Sequence, residues 1–180
     1  MARNQPGARA QKKNTARGRL AGNPVSTSCI VTTMLVQPND SNILGFLHGG
    51  QLLHWVDVTC AMAGQRHSRR SVVTASFDRV HFLHPAKIGQ QIIVQASVNA
   101  VWATSMEVGA KVEAEDPHTG RRVQTASAYG TFVALDSKNK PVKIPPLILE
   151  TETDRRRNNE AQERRRVRLS ERAARKNRVH

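Results

Sequence analysis

The sequence is poor in aromatic residues, which make up 4% of its 180 residues, and it holds two cysteines, Cys29 and Cys60. Scarce aromatics argue against a nucleic-acid module that stacks bases on its surface. The two cysteines fit no metal-binding or redox spacing, so a reducing, intracellular setting is expected. No apolar run is long enough to predict a membrane span, and no secretory signal is recognisable.

Several signatures of catalysis are missing as well. There is no G-x-S-x-G elbow of the kind that positions a nucleophilic serine, and no glycine-rich motif that would cradle phosphates. His81 and His84 have H-x-x-H spacing, but on a strand their side chains would point to opposite faces. We therefore expect neither a metal site nor a bound cofactor.

Acidic residues are scarce beside basic ones, at 14 against 28, which gives a net charge of +14. The excess lies at the two ends, because residues 1–24 hold six basic residues and no acid, and residues 154–180 hold eleven basic and four acidic residues. This pattern predicts a nearly neutral globular domain over 25–153, between a flexible basic tail and an Arg-rich C-terminal helix or tail. Solvated tails are the simpler interpretation; the alternative is that they bind nucleic acid or an anionic membrane.

Segments rich in β-branched or alternating residues predict five strands, and one long apolar segment predicts a helix. The strands are expected over 26–36, 72–82, 91–102, 105–116 and 121–136, and the helix from about His48 to about His67. The helix is apolar on nearly all sides, so other structure should surround it. Mostly hairpin-length turns join the later strands, which favours antiparallel pairing. The expected fold class is α+β, with one curved sheet around a central helix.

Two polar patterns complete this prediction. In residues 105–116, apolar side chains alternate with polar ones, which predicts an amphipathic strand with Glu107 on its polar face. Residues 154–178 are rich in Arg and Glu and have good helix propensity, but they offer few apolar side chains to bury. A frayed or partly docked C-terminal helix is expected.

The most apolar stretch, FLHGGQLLHWVDVTCAMAG at residues 46–64, contains a single acid, Asp57. Burial of an unpaired carboxylate is costly, so such a residue needs a partner or a purpose. A carboxylate held in these surroundings can act as a general base toward water. The alternative is a purely structural Asp57, satisfied by donors such as Thr59 or Thr74. Cys60 shares a helix face with Asp57 and is interpreted as a core residue.

Two glycines, Gly49 and Gly50, open the predicted helix. A glycine pair lets a ligand approach the backbone, and the first amides of a helix lack internal partners and lie at the positive end of its dipole. These amides could hydrogen-bond a substrate carbonyl oxygen and stabilise negative charge that develops on it. Asp57 follows about two turns later, on nearly the same face. The alternative is that the glycines only permit a tight entry into the helix.

Several motifs in one order resemble the hotdog-fold acyl-CoA thioesterases, above all the cytosolic, brain-type acyl-CoA hydrolases and their bacterial relatives. The motifs are N-x-x-G-x-x-x-G-G from Asn42 to Gly50, LLHWVD ending at Asp57, RHS, VVTASFDRVHF and TSMEV. The resemblance covers about residues 28–153, including TFVALD and the exit segment IPPLILETE. The hotdog fold is a curved antiparallel sheet around one long helix, which agrees with the pattern of strands and helix.

This resemblance implies hydrolysis of acyl-CoA to a free acid and coenzyme A, in a site between two subunits. Asp57 of one chain would be the catalytic carboxylate, and Asn42 of the other chain would assist by orienting the water or the substrate. The amides of Gly49 and Gly50 would polarise the thioester carbonyl. Asp57 would activate the water, with direct attack by the carboxylate as the alternative. Coenzyme A is part of the substrate, so no separate cofactor is implied.

Coenzyme A carries several phosphates, for which basic or hydroxyl residues near the site are candidates. These candidates are Arg66, Ser68, Arg69, Arg70, Thr74 and Ser105. The RHSRR segment could instead be a solvated turn. The resemblance implies a homo-oligomer. A dimer is expected at least, because dimerisation covers an exposed sheet edge. A trimer of dimers is expected because relatives often assemble in this way. The setting implied is cytoplasmic, and import into an organelle through the basic N-terminus is the alternative.

Two other functions stay open at this point. A hotdog scaffold could bind acyl-CoA or nucleic acid without turnover, and the basic tails give a motive for the latter. A related activity is the dehydration of hydroxyacyl thioesters, which generally needs a catalytic histidine in the site. His48 flanks the glycine pair and keeps that activity open.

Overall fold

The computed structural model describes residues 20–177, and its centre is one five-stranded antiparallel sheet. The strands of this sheet are β2 (Ile30–Leu35), β3 (Ser71–Phe82), β4 (Gln91–Val101), β5 (Ser105–Glu115) and β6 (Arg122–Leu135). The helices are α1 (Val25–Ser28), α2 (Gly49–Ser68) and α3 (Glu152–Asn177), and two short strands, β1 (Asn23–Pro24) and β7 (Leu147–Ile148), pair in parallel. The predicted order of five strands and one central helix is confirmed.

The order of strands across the sheet is β2-β4-β5-β6-β3, so β3 lies at one edge and β2 at the other. The predicted antiparallel pairing is confirmed, but the turn region after β3 does not form a hairpin. Leu83 N–H donates to the carbonyl of Thr125 in β6, at 2.8 Å, and Val36 N–H donates to the carbonyl of Gln90, at 2.9 Å. The segment 83–90 therefore crosses the end of the sheet and delivers the chain to β4, beside β2.

The first long strand begins at Ile30, four residues later than expected, because Val25–Ser28 forms a helical turn. Serine side chains bond readily to nearby backbone groups and so compete with strand formation. Ser28 Oγ donates to the carbonyl of Val25 at 2.7 Å and accepts from Val98 N–H at 3.0 Å. Ser28 is fully buried, and it fixes the turn against β4.

Helix α2 packs on the inner face of the sheet through a stripe of buried residues. Leu52, Val56, Cys60 and Ala63 recur at intervals of three or four residues, which is the period of one helix face. The opposite face is open in a single chain, where Val58 is 44% exposed. The expectation of a helix surrounded on nearly all sides is therefore wrong for one chain alone.

Helix α3 lies on the outer face of the sheet and is docked rather than frayed. Ala161 is fully buried, and Asn158 Nδ2 donates to the carbonyl of Asn99 in β4 at 2.9 Å. Glu107, expected on a polar and exposed face of β5, has no exposed surface because Arg164 covers it. The alternation along β5 was predicted correctly, but sequence alternation does not reveal that a second helix covers the polar face.

The predicted basic tail over 1–24 lies outside the described residues up to residue 19. Its last residues are attached to the domain, because Asn23–Pro24 forms β1 and Asn23 Nδ2 donates to the carbonyl of His67 at 2.9 Å. Over the described range, no helix is both long and apolar enough to cross a membrane.

Candidate active site

Of the two glycine amides at the start of α2, one is open and the other is not. His48 caps the helix, because its Nδ1 accepts from Gly50 N–H at 3.2 Å and its carbonyl accepts from Leu52 N–H at 3.0 Å. The Gly50 amide, expected to face a substrate, is thus already bonded to His48. Within residues 20–177, no atom accepts from Gly49 N–H, so that amide remains as the donor at the positive end of the helix.

Asn42 lies in the loop before α2, with its side-chain carbonyl already in use. Its Oδ1 accepts from Leu44 N–H at 2.9 Å and from Phe46 N–H at 3.3 Å, and its own N–H donates to the carbonyl of Phe46 at 2.8 Å. These bonds are typical of asparagine in a tight turn. They fix the carbonyl end of the amide and leave the NH₂ group as the end that can donate to another molecule.

Asn42 and Gly49 both line one cavity of about 370 Å³. Its remaining lining is mostly apolar: Phe46, Leu47, Leu52, Phe82, Leu83, His84, Pro85, Ala86 and Thr125. Phe82, at the end of β3, lies beside the helix start, because a Cβ built on Gly49 would be 3.6 Å from its ring. Phe82 was not predicted as a site residue, since a phenylalanine in a strand pattern carries no signal of such a position. An apolar cavity with a few polar donors is the usual form of a small-molecule site.

Asp57 is half-buried rather than enclosed, because the α2 face around it is open in a single chain. Its Oδ1 accepts from the hydroxyl of Thr74 in β3 at 2.6 Å. Thr59, the other donor considered, bonds instead to the carbonyl of Trp55 at 2.8 Å. Asp57 therefore has one side-chain hydroxyl partner and a carboxylate that is still accessible from the open face of α2.

Cys60 is a core residue, as interpreted from the sequence. It has no exposed surface, and burial, followed by the nearby charge of Asp57, raises the pKa of the Cys60 thiol to about 12. The thiol is therefore protonated at neutral pH and is a poor nucleophile. Cys60 therefore does not compete with Asp57 as a candidate reactive group.

The structure brings the predicted residues together in two groups, not one. Asn42 and Gly49 share the cavity at the start of α2, whereas Asp57 and Thr74 form a pair that does not line it. Eight residues of helix separate Gly49 from Asp57, a rise of about 12 Å. A single chain therefore presents two half-sites.

Four of the six candidates for binding coenzyme A lie at the far end of α2, and the side chains of two of these four bond within the chain. Thr74 lies in β3 and donates to Asp57. Arg66 Nη1 donates to the carbonyl of Cys29 at 2.8 Å. Ser68 is buried and its hydroxyl donates to the carbonyl of Gly64 at 2.8 Å, which argues against Ser68 as a phosphate ligand. Arg69 ends α2 in the left-handed conformation, with φ of 54°. Arg70 is exposed, and its backbone N–H donates to Ser68 Oγ at 3.3 Å.

Ser105, the last of these candidates, lies at the start of β5 and is partly exposed. Its carbonyl accepts from Trp102 N–H at 2.8 Å, which fixes its backbone. Across the described part of the chain, no group of three His, Cys, Asp or Glu side chains could hold a metal ion. His84 Nδ1 instead pairs with the carbonyl of Gln124 at 3.0 Å.

Comparison with known proteins assigns this arrangement to a family. Residues 44–121 match the model of the thioesterase superfamily. An acyl-CoA thioester hydrolase of Bacillus subtilis, itself uncharacterised, is 41% identical over 127 residues, which are 71% of this chain and 74% of the relative. This chain belongs to the acyl-CoA thioesterases of that superfamily. The resemblance stated from the sequence is confirmed.

Solved thioesterase structures confirm the hotdog fold. An apo-hexameric acyl-CoA thioesterase is 34% identical with a TM-score of 0.82, over 86% of this chain and 99% of that chain. An acyl-CoA hydrolase of Staphylococcus aureus, solved with butyryl coenzyme A and coenzyme A, is 30% identical with a TM-score of 0.81, over 87% of this chain and 96% of that chain. The chain spans only 25% of the acetyl-coenzyme A thioesterase of Mus musculus, with 39% identity over 140 residues.

Three variants of the S. aureus enzyme have also been solved, in which an asparagine, an aspartate or a threonine is replaced by alanine. In order along that chain the replaced positions are separated by 15 and then 17 residues. Asn42, Asp57 and Thr74 have the same order and the same separations. One residue from the first half-site and both residues of the second thus follow that pattern.

Proposed function

We propose that this chain hydrolyses acyl-CoA thioesters to a free carboxylic acid and coenzyme A, in a site built from two copies of the chain. The observation that carries the proposal is the distribution of the two half-sites along edge strand β3. The cavity with Asn42 and Gly49 adjoins Phe82 at the end of β3, and the Asp57–Thr74 pair lies near its start.

An edge strand presents unpaired backbone groups that a second chain can pair with. If two β3 strands pair in antiparallel fashion about a two-fold axis, the end of one strand lies beside the start of the other. Asn42 and Gly49 of one chain then face Asp57 and Thr74 of its partner. The open face of α2, with Val58 exposed, is buried by the same pairing. Each dimer has two equivalent sites.

The residues then divide the chemistry among them. Gly49 N–H, at the positive end of α2, donates to the thioester carbonyl oxygen and stabilises the negative charge that develops on it. The NH₂ group of Asn42 orients the water or the carbonyl. Asp57 takes a proton from water as the water oxygen bonds to the carbonyl carbon. The C–S bond then breaks, and the sulfur leaves with the proton as the thiol of coenzyme A.

Two features refine these roles. Thr74 donates its hydroxyl to Asp57 Oδ1, which fixes the carboxylate and leaves Oδ2 toward the water. His48 Nδ1 accepts from Gly50 N–H, so His48 acts as a helix cap, and a dehydration that needs it as a free base is disfavoured. Activation of water by Asp57 is preferred over direct attack, since it requires no covalent intermediate.

The same proposal includes the contacts with coenzyme A, the assembly and the location of the protein. Arg66, Arg69, Arg70 and Ser105 are proposed to meet the phosphates of coenzyme A. The assembly is proposed to be a trimer of dimers, supported by the hexameric thioesterase with a similar fold. A cytoplasmic location is proposed, supported by similarity to a cytosolic acyl coenzyme A thioester hydrolase of Rattus norvegicus that is 33% identical over 138 residues.

The test is release of free thiol from a panel of acyl-CoAs of increasing chain length. Asp57→Asn keeps the size of the side chain and removes the base, so turnover should fall about 100-fold or more while the dimer persists in sedimentation. Asp116→Asn changes a carboxylate in the β5–β6 turn and should be active. Full turnover by Asp57→Asn would refute the mechanism. Tight binding of acyl-CoA without thiol release by the wild type would point to a non-catalytic binding protein.

Mixing two inactive variants tests the two-chain site. Asn42→Ala and Asp57→Asn each disable both sites of their own dimer, but a mixed dimer contains one site with both residues intact. Activity should therefore return when the two proteins are unfolded and refolded together. No recovery, with mixed dimers demonstrated by mass, would contradict a shared site.

A further inference from the structure

We propose that the C-terminal helix supports catalysis: Arg168 of α3 and Asp78 of β3 are positioning residues that hold Thr74 where its hydroxyl reaches Asp57. The inference rests on the proposed function of Asp57. Helix α3 lies on the outer face of the sheet and Asp57 on the inner face, and β3 runs between them. Side-chain contacts lead from Arg168 through Asp78 to Ser76. The backbone of β3 continues from Ser76 to Thr74, whose hydroxyl reaches Asp57.

The series begins with an ion pair between Arg168 Nη1 and Asp78 Oδ2. The two side chains are 24% and 15% exposed, so the pair is largely shielded from water. Asp78 Oδ1 also accepts from the hydroxyl of Ser76 at 3.3 Å. The Asp78 carboxylate thus joins Arg168 of α3 to Ser76, two residues earlier in β3. Its bond to Arg168 is charge-assisted.

Two irregularities of β3 make this junction important for the site. The register of β3 against β6 shifts between Thr74 and Ser76, and again between Phe77 and Arg79. The extra residue is Ala75 at the first shift and Asp78 at the second. Bulges of this kind bend a strand and re-aim the neighbouring side chains. Thr74 immediately precedes the first bulge and donates to Asp57, so the bend between Thr74 and Ser76 sets the direction of its hydroxyl.

Within one chain, β3 is hydrogen-bonded only to β6 among the described strands, and each bulge interrupts that ladder. The bond from Arg168 of α3 to Asp78 restrains this bend from the outer face of the sheet. Helix α3 is itself firmly placed, because Arg164 binds Glu107 through two bonds of 2.7 and 3.1 Å and Glu107 is fully buried. A site residue held by a rigid support keeps its geometry within the narrow range that catalysis needs.

The test compares Arg168→Gln with Arg166→Gln. Arg166 is on the same helix, and its partner is Glu163 on the helix surface. Arg168→Gln should lower kcat for acyl-CoA hydrolysis about tenfold with little change in KM, because a small misplacement near the reacting groups is costly. Arg166→Gln should match the wild type, and Arg168→Lys, which keeps the charge, should recover part of the loss. Equal kcat for the two glutamine variants would overturn the proposal.

Two further measurements separate positioning from general stability. In a Thr74→Ala background, Arg168→Gln should cause no additional loss of kcat, since both act through the same hydroxyl; a loss that multiplies would overturn the proposal. Ser76→Ala cuts the series without removing a charge, and it should lower kcat in the same direction even if Arg168→Gln fails to fold. Arg164→Gln loosens the support itself, so it should lower both thermal stability and kcat, whereas Ser76→Ala should lower kcat with little change in thermal stability.

The turnover of Asp57→Asn separates failure of the positioning role from failure of the proposed function. If Asp57→Asn abolishes turnover while Arg168→Gln, Ser76→Ala and Arg166→Gln all match the wild type, the positioning role is wrong and the proposed function stands. If Asp57→Asn retains full turnover, both are wrong. A drop in kcat for Arg168→Gln and Ser76→Ala alongside inactive Asp57→Asn supports both.

Discussion

Helices α2 and α3 lie on opposite faces of the same sheet, and different forces hold them there. Helix α2 buries an apolar stripe that includes Leu52 and Val56. In the described part of α3, Ala161 is the buried apolar residue, and guanidinium groups make most of the contacts. Arg164 bonds to Glu107 and lies 3.8 Å from the centre of the Tyr129 ring. One helix is attached by burial of apolar surface and the other by directed polar contacts.

The difference determines what each helix can do. Apolar burial is proportional to area and has no strict direction, so α2 gains stability from many interchangeable contacts. An ion pair next to buried surface must recover the cost of losing water, which requires good geometry and satisfied partners. Helix α3 is therefore held at a few fixed points, and such a helix suits the positioning of β3 better than the filling of a core.

The largest effect is expected when apolar burial of α2 is removed. Leu52→Ala removes a side chain that is 3% exposed, and the lost burial together with the cavity left behind should cost about 3 kcal/mol in the free energy of unfolding. Denaturant unfolding measures this loss. Gln65→Ala, on the exposed side of α2, is the control and should be nearly neutral; a similar loss in both would mean that α2 does not depend on its stripe.

The next largest effect is expected when the ion pair that holds α3 is removed. Arg164→Met leaves the Glu107 carboxylate buried with Asn99 Nδ2 as its remaining donor, at 3.1 Å, and should cost about 2 to 3 kcal/mol. Adding Glu107→Gln removes the buried charge and should recover most of that loss. Equal stability of the single and double variants would show that the pair is not what holds α3.

These two helices also show how far the sequence could be interpreted. The bounds of α2 and of β3 to β6 lie within about one residue of the predicted ones, because local composition and alternation determine them. The buried stripe on α2 was not predicted, because the segment is apolar on nearly all sides. Asp57 and Gly49 could be singled out as candidates from the residues alone, because an acid in an apolar run and a glycine pair at a helix start are visible in one chain. Asn42 became a candidate only through the resemblance. The resemblance supplied their shared site.

What the sequence could not reveal depends on contacts between distant segments. The pairing of Arg164 with Glu107 joins residues 57 positions apart, and an alternating strand looks the same whether or not a helix covers its polar face. The bond between Gly50 N–H and His48 depends on a side-chain rotamer, which propensity does not predict. The order β4-β5-β6-β3 depends on where the 83–90 segment is anchored.

The third prediction concerns His67, a polar residue that α2 buries. His67 is fully buried; its Nε2 pairs with the carbonyl of Pro145 at 3.0 Å, and its Nδ1 has no partner among the described residues. Burial lowers the pKa of His67 below its usual 6.5, only partly offset by the Pro145 carbonyl. The unfolded chain therefore binds the proton more readily, so stability is present above pH 6.5 and decreases below it, by at most about 1.4 kcal/mol per pH unit.

His67→Gln keeps a donor toward Pro145 and removes the titration. Unfolding of the wild type and the variant should therefore be compared between pH 5 and pH 8. The difference in their free energies of unfolding should decrease with acidity, while His118→Gln, in the β5–β6 turn, should follow the wild type. Parallel pH profiles for wild type and His67→Gln would contradict a buried neutral imidazole.

The smallest effect concerns the rim of α3. Arg165 lies 4.2 Å from the centre of the Trp102 ring, and Trp102 Nε1 donates to Gln162 Oε1 at 2.9 Å. Arg165→Gln should cost about 0.5 to 1 kcal/mol, the usual worth of a cation over a partly exposed ring, and should leave kcat unchanged because it touches neither β3 nor Glu107. Arg165→Lys should retain part of the contact. A fall in kcat for Arg165→Gln as large as that for Arg168→Gln would mean that any loosening of α3 reaches the site, and the distinction between its fixed points and its rim would be lost.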